Sequence, residues 1–200
     1  MKASRLLAGT VAAVVAMGLA ITLDPWVWRH VALESVHDTD WGRMLRVTGS
    51  LVFWLPLAIA VRLALHRSGA ERPGRAWLLF WGPALAGGVG ELLKLLVRRE
   101  RPGLADGEYV FRAFADRPWS TSALGFPSSH VIVAFGGAAI LARLFPGTAP
   151  VAYFLAAGCA VTRVLARAHF ASDVVGAALA GWAIGAILWR RFGGGSSHSR

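Results

Sequence analysis

Charge is scarce in this chain. Aspartate, glutamate, lysine and arginine together make up only 16% of 200 residues, against about 25% in soluble domains. Acids are scarcer still, 11 against 21 lysines and arginines. A surface so poor in charge does not suit a water-soluble globule. Cysteine is nearly absent: one residue, Cys159, excludes an intrachain disulfide and reads as a small packing residue inside an apolar run. No internal repeat is visible. The net charge of +10 does not point to nucleic acid, because the arginines stand at the ends of apolar runs, as membrane anchors and orientation signals do.

What the chain has is hydrophobic length. Apolar residues make up 56% of it, with a mean hydropathy of +0.53. A bilayer-crossing helix needs roughly 17–25 predominantly apolar residues. Runs near this length occupy residues 6–23, 44–65, 76–97, 128–145, 151–166 and 170–189. The expectation is an all-α, six-span transmembrane bundle forming one domain over residues 1–192, with a flexible tail at 193–200. Lys2 and Arg5 before the first run resemble the start of a signal peptide. That run is longer than the usual apolar core of about 7–15 residues, and no small-x-small cleavage site precedes Asp24-Pro25. An uncleaved first span is therefore expected. Pro56 predicts a kink in the second span, and Gly82, Gly87, Gly88 and Gly90 predict close helix packing by the third.

The connections set orientation. Arg62, Arg67, Arg72 and Arg75 make the link between the second and third runs the most basic short connection in the chain. The positive-inside rule makes it cytoplasmic. Both termini are then inside, and residues 24–43, 98–127 and 162–173 lie outside. Trp26, Trp28 and Trp41 read as interfacial aromatics, and His30 and His37 as exposed loop histidines.

Three polar stretches gather on that outer face. In the first, Lys94 and Arg101 are seven apart, two helical turns, and share one face before Pro102 ends the helix. Glu91 and Lys94 lie deep enough to face the protein interior. Arg98 and Arg99 read as cations snorkelling to the interface. In the second, Gly125-Phe-Pro-Ser-Ser-His130 runs straight into the fourth span. A serine-capped helix start offers free N–H groups and hydroxyls to an anion, and His130 falls in its first turn. In the third, His169 and Asp173 are four apart on one helix face. The carboxylate can fix the imidazole tautomer, and Arg163 brings a positive charge nearby. Arg167 reads as a surface or headgroup contact.

Lys94, Arg101 and Arg163, with Ser128 and backbone N–H donors, suit phosphate oxygens. Two histidines suit a double displacement, one attacking and the other protonating the leaving oxygen. His130, His169 and Asp173 also have the composition of a two-histidine, one-carboxylate metal site. Three nearby cations with one offsetting carboxylate oppose a divalent ion there.

Together the three stretches resemble the signature of the type 2 phosphatidic acid phosphatase (PAP2) superfamily. That group includes integral membrane lipid phosphatases, glucose-6-phosphatase and the vanadium haloperoxidases. Its pattern is a lysine, six residues, Arg-Pro; then Pro-Ser-Gly-His; then Ser-Arg, five residues, His, three residues, Asp. Lys94 with Arg101-Pro102, Pro127-Ser128-Ser129-His130, and Thr162-Arg163 with His169 and Asp173 match it in order. Ser129 replaces the glycine and Thr162 the serine. The resemblance covers about residues 76–190 and implies roles. His169 would attack phosphorus and form a phosphohistidine, and Asp173 would orient it. His130 would protonate the leaving alcohol and then activate water. Lys94, Arg101, Ser128, the Ser129 N–H and Arg163 would hold the phosphoryl oxygens. It implies no metal or other cofactor. The implied partners are a lipid phosphate substrate and the membrane lipids. Transfer of the phosphoryl or headgroup to another lipid shares the same first half-reaction. A six-span transporter or lipid-binding protein is the non-enzymatic alternative, which leaves the second histidine and the orienting acid without a reason.

Overall fold

The computed structural model describes residues 2–194. Its helices are α1 (Lys2–His30), α2 (Asp40–Val47), α3 (Leu51–Arg67), α4 (Leu78–Val97), α5 (Ser129–Leu144), α6 (Ala149–Leu165) and α7 (Ala171–Leu188). The chain is all-α, about 75% helical. Among the described residues the only β-type pairings are two isolated bridges, Arg99 with Phe111 and Glu100 with Leu124. A short π-helical turn, Trp189–Gly193, follows α7. The expected tail at 193–200 lies outside the described residues from 195 onward.

Among the described residues, four helical segments are long and apolar enough to cross a bilayer: Leu7–His30, Pro73–Val97, Pro146–Leu165 and Ala171–Gly193. With this many apolar segments the chain is an integral membrane protein. The run expected as the second span is broken into α2 and α3, which meet at 68°. Pro56 lies inside α3, and the break falls earlier, at Thr48-Gly49-Ser50. Caps explain the position. The Thr39 side chain accepts from Gly42 N and starts α2, while Ser50 accepts from Val52 N and starts α3. Trp54 Nε1 donates to Thr48 O at 2.7 Å and closes the corner. The run expected as the fourth span is α5, of only 16 residues.

α5 is the centre of the bundle. It packs against α4, α6 and α7, and α1 packs on α7. Val131, Ile132, Ala134, Ala139 and Ile140 on α5 are fully buried. Lipid is as apolar as these side chains, so cohesion between spans comes from close contact, not from hydrophobic transfer. Small residues allow that contact. A Cβ at Gly82 would lie 2.8 Å from Ile140, one at Gly90 3.1 Å from Ile132, and one at Gly87 3.1 Å from Val133. These three glycines of α4 therefore seat α5, as expected; Gly88 faces open space. On the other side a Cβ at Gly181 of α7 would lie 2.3 Å from Ile132 O. This packing presents the start of α5 beside the end of α4 and the α6–α7 turn.

Candidate active site

α4 ends at Arg98, short of Arg101, so the expected helix face shared by Lys94 and Arg101 does not form. Arg98 adopts the left-handed conformation (φ 59°), which turns the chain out of the helix, and donates its N–H to Lys94 O at 2.8 Å. That conformation is unfavourable for a residue with a Cβ, and the side chain supplies the compensation. Arg98 is 1% exposed, and its guanidinium donates to the carbonyls of Arg112 (3.1 Å), Ala113 (2.9 Å), Asp116 (2.6 Å) and Pro118 (3.3 Å). Segment 98–127 folds as a cap around it. Arg112 fastens the same cap through Glu100 (3.0 Å) and Ser122 O (2.9 Å). Arg98 is thus a buried anchor of the cap, and the snorkelling expectation is overturned.

Arg99 is also buried, with a chemical neighbour. Its Nε lies 3.2 Å from Asp173 Oδ1, and a second guanidinium nitrogen bonds the same oxygen. It also donates to Ser172 Oγ at 2.8 Å. Tyr109, Phe126 and Phe170 surround the guanidinium at 5.0–5.2 Å from their ring centroids. A desolvated arginine beside a carboxylate and three π faces is held far more firmly than a surface pair.

Asp173 lies in the first turn of α7 and is fully buried. Its Oδ2 accepts from Phe170 N at 2.9 Å, which caps the helix, and lies 3.6 Å from His169 Nδ1. The nearer partner of His169 Nδ1 is Gly125 O at 2.9 Å. A carbonyl can only accept, so Nδ1 carries the hydrogen and Nε2 keeps its lone pair. Gly125 gives its own N–H to Arg99 O at 2.7 Å. A Cβ there would come within 3.0 Å of Asp173 Oδ2 and 3.1 Å of Glu100 O. Burial, with the nearby charges of Arg163 and Arg101, lowers the His169 pKa below its ordinary 6.5 despite the opposing pull of Asp173. The imidazole is therefore neutral near pH 7.

The sequence-predicted residues come together. Lys94 Nζ bonds Ser129 Oγ and lies 2.9 Å from Glu91 Oε1, which Ser129 Oγ also approaches at 2.7 Å. Ser128 N donates to Asp173 O at 3.3 Å, joining the start of α5 to that of α7. Ser128 is the N-cap of α5, yet its hydroxyl makes no capping bond. Ser128 Oγ, Arg101 Nε and Arg163 Nε are buried without a partner among the described residues. Unpaired buried donors are unusual, since buried polar groups are normally satisfied. Arg101 and Arg163 lie within electrostatic reach of His169, and Ser128 is bonded to Asp173. His130 lies within electrostatic reach of Arg163, His169 and Lys94. Among the described residues no group of three or more histidine, cysteine, aspartate or glutamate side chains has a metal-site arrangement.

Other residues depart from the sequence reading. His37 is half-buried, and Arg163 NH1 approaches its Nε2 at 3.5 Å, so it is not a free loop histidine. His30, by contrast, is exposed as expected and stacks on Trp26. Arg167 lies 3.6 Å from Glu34 and 4.8 Å from the Trp28 ring centroid. Asp24, on α1, accepts from Ser172 N at 3.0 Å, from Ser172 Oγ, and from Tyr109 OH at 2.6 Å. Arg99, Gly125, Asp24, Ser172 and Tyr109 thus support the site without belonging to its motifs. Arg99, Gly125 and Ser172 had a local signal, through adjacency to those motifs; Asp24 and Tyr109 had none.

Residues 75–194, which hold all of these side chains except those of α1 and the segment after it, match the model of the PAP2 superfamily, and the chain belongs to it. It is a membrane phosphatase of that type. The chain is 35% identical over 149 residues to decaprenylphosphoryl-5-phosphoribose phosphatase of Mycobacterium tuberculosis (strain CDC 1551 / Oshkosh), covering 74% of this chain and 75% of that protein. It is 33% identical over 169 residues to lipid A 1-phosphatase of Rhizobium etli, covering 80% of this chain and 70% of that protein. No solved structure matches the chain significantly.

Proposed function

We propose that the protein hydrolyses a lipid phosphate monoester or diphosphate, without metal, through a phosphohistidine on His169. The observation that carries this reading is the free Nε2 of His169 beside three unpaired donors, Ser128 Oγ, Arg101 Nε and Arg163 Nε. The Nδ1–H bond to Gly125 O aims Nε2 at a phosphorus held by those donors, Lys94 and the Ser129 N–H. Asp173 stabilises the imidazolium that forms when Nε2 bonds to phosphorus. His130 gives a proton to the leaving oxygen, then takes one from the water that releases orthophosphate.

A lipid substrate is supported by an apolar groove of about 290 Å³ between α1, α6 and α7. Val27, Val31, Val164 and Ala171 line both this groove and the crevice beside His169. The names of the relatives point the same way, since both act on amphiphiles carrying phosphate. In this reading the chain crosses six times, with both termini in the cytoplasm and the site on the outer face; the arginines between α3 and α4 support it through the positive-inside rule.

Labelled substrate should leave acid-labile phosphate on wild-type protein quenched during turnover. His169→Ala should lose both that label and phosphate release while remaining folded. Near-normal turnover by His169→Ala would falsify the assignment. For orientation, a membrane-impermeant reagent on intact cells should modify a cysteine placed at exposed Trp119 but not one placed at exposed Arg67.

A further inference from the structure

A second basic group borders the site on the side of the proton donor. A cavity of about 250 Å³ is lined by Arg43, Arg46, Val47, Ser50 and His130. Four of these residues come from α2 and the corner after it. The corner is fixed against His130: a Cβ at Gly49 would lie 2.6 Å from His130 O, so only glycine lets the backbones meet so closely. Cys159 Sγ on α6 reaches Arg46 O at 4.0 Å and helps seat α2 there.

The two arginines differ. Arg43 pairs with Asp40 at 2.6 Å. Arg46 has no carboxylate partner among the described residues, and it lies within electrostatic reach of both His130 and Arg163. A cation kept this close to a site already rich in cations raises its local potential. That arrangement favours an anion bridging the two.

Resting on the reading above, we infer that Arg46, with Arg43, forms a subsite for a second anion on the leaving group. The substrate class is a lipid whose leaving group itself carries a phosphate. In-line displacement places the attacking Nε2 and the leaving oxygen on opposite sides of phosphorus. His130 protonates the leaving oxygen, so the cavity that His130 lines is where the leaving group lies. With a lipid diphosphate, the Nε2–P bond forms and the bridging P–O bond breaks. The bridging oxygen keeps the electron pair and takes the proton from His130, and the departing lipid monophosphate rests against Arg46. Water then releases orthophosphate from His169. A neutral alcohol leaves nothing there for a guanidinium to bind.

The test compares two probes with one tail, farnesyl diphosphate and farnesyl monophosphate, on the full-length protein in detergent micelles. Wild type should favour the diphosphate in kcat/KM. Arg46→Gln should lower the diphosphate-to-monophosphate ratio by about 10- to 100-fold, as expected for one lost charge-assisted hydrogen bond. Arg46→Lys should hold that ratio within about threefold, since it keeps the point charge. Because only the ratio is read, measurable turnover of either probe suffices to show a folded variant. A second pair, phosphatidylglycerol phosphate and phosphatidic acid, asks where the anion sits. A response there alone places it as a phosphodiester farther out, and a response with the farnesyl pair alone places it next to the transferred phosphorus. An unchanged ratio in both pairs, or a wild type that prefers the monophosphates in both, overturns the subsite. Turnover surviving in His169→Ala instead overturns the phosphohistidine reading beneath it.

Discussion

Asp24 on the first helix accepts both the backbone N–H and the hydroxyl of Ser172 at the start of the last. Ser172 Oγ also receives a guanidinium hydrogen from Arg99, which in turn grips Asp173, the acid beside His169. A buried carboxylate from the N-terminal segment therefore ends a chain of contacts that begins at His169. Asp24→Asn keeps the shape and removes the charge. It turns one acceptor into a donor facing donors, which costs about 1–3 kcal/mol. Thermal unfolding in detergent should fall accordingly, and phosphate release should slow at temperatures where the variant is folded. Unchanged stability and rate would remove Asp24 from the supporting network.

Arg99 and Asp173 form a buried ion pair, and deleting one partner of such a pair typically costs about 3–5 kcal/mol. Arg99→Met should cost that much in denaturant unfolding. It should also slow formation of the phosphoenzyme, because Asp173 is freed to turn from His169. A surface-like loss below about 1 kcal/mol would contradict the burial described for Arg99.

His169 provides a pH signature. Its pKa lies below the ordinary 6.5, chiefly through burial. The unfolded chain therefore takes up this proton before the folded chain does as the pH falls. Stability is lost on acidification below about pH 6.5 and is untouched by this residue above it. In histidine-labelled protein, the resonance that disappears in His169→Gln should titrate below pH 6.5. Asp173→Asn, which removes the group pulling the value upward, should move it lower still. A midpoint above 6.5 in wild type would contradict the buried, neutral imidazole.

Gly181 tests the packing. Its missing Cβ would lie 2.3 Å from the carbonyl oxygen of Ile132, and backbone cannot yield as a side-chain tip does. Gly181→Ala should destabilise by about 1–3 kcal/mol through overpacking. Gly88→Ala, with nothing within 4 Å, should be neutral in the same thermal unfolding measurement.

The parts of the site that were legible in sequence are those whose chemistry repeats at short spacing. Lys94 with Arg101, Ser128 with His130, and His169 with Asp173 are each at most seven residues apart, so short chain separation signals them even though α4 ends before Arg101 and α7 begins after His169. The supporting contacts were hidden because their partners are remote. Asp24 and Ser172 are separated by 148 positions, and Arg99 and Asp173 by 74. Arg98 and Arg99 misled because a cation at the end of an apolar run normally faces headgroups. Only a cap that folds back over them makes them interior. The broken second span was illegible for a similar reason: Pro56 is the evident breaker, while the bend is set by Ser50 and the Trp54 bond to Thr48.

The Arg98 anchor has an evolutionary consequence. Every acceptor it uses is a main-chain carbonyl, and each residue type offers the same oxygen. The cap's shape is therefore written in one side chain at position 98, while the residues at 113, 116 and 118 can drift without releasing it. Such a cap can change its outward face in small steps while Arg99, Asp173 and His169 beneath keep their places. Hydrogen exchange across 111–120 should rise sharply in Arg98→Met and stay near wild type in Ala113→Ser.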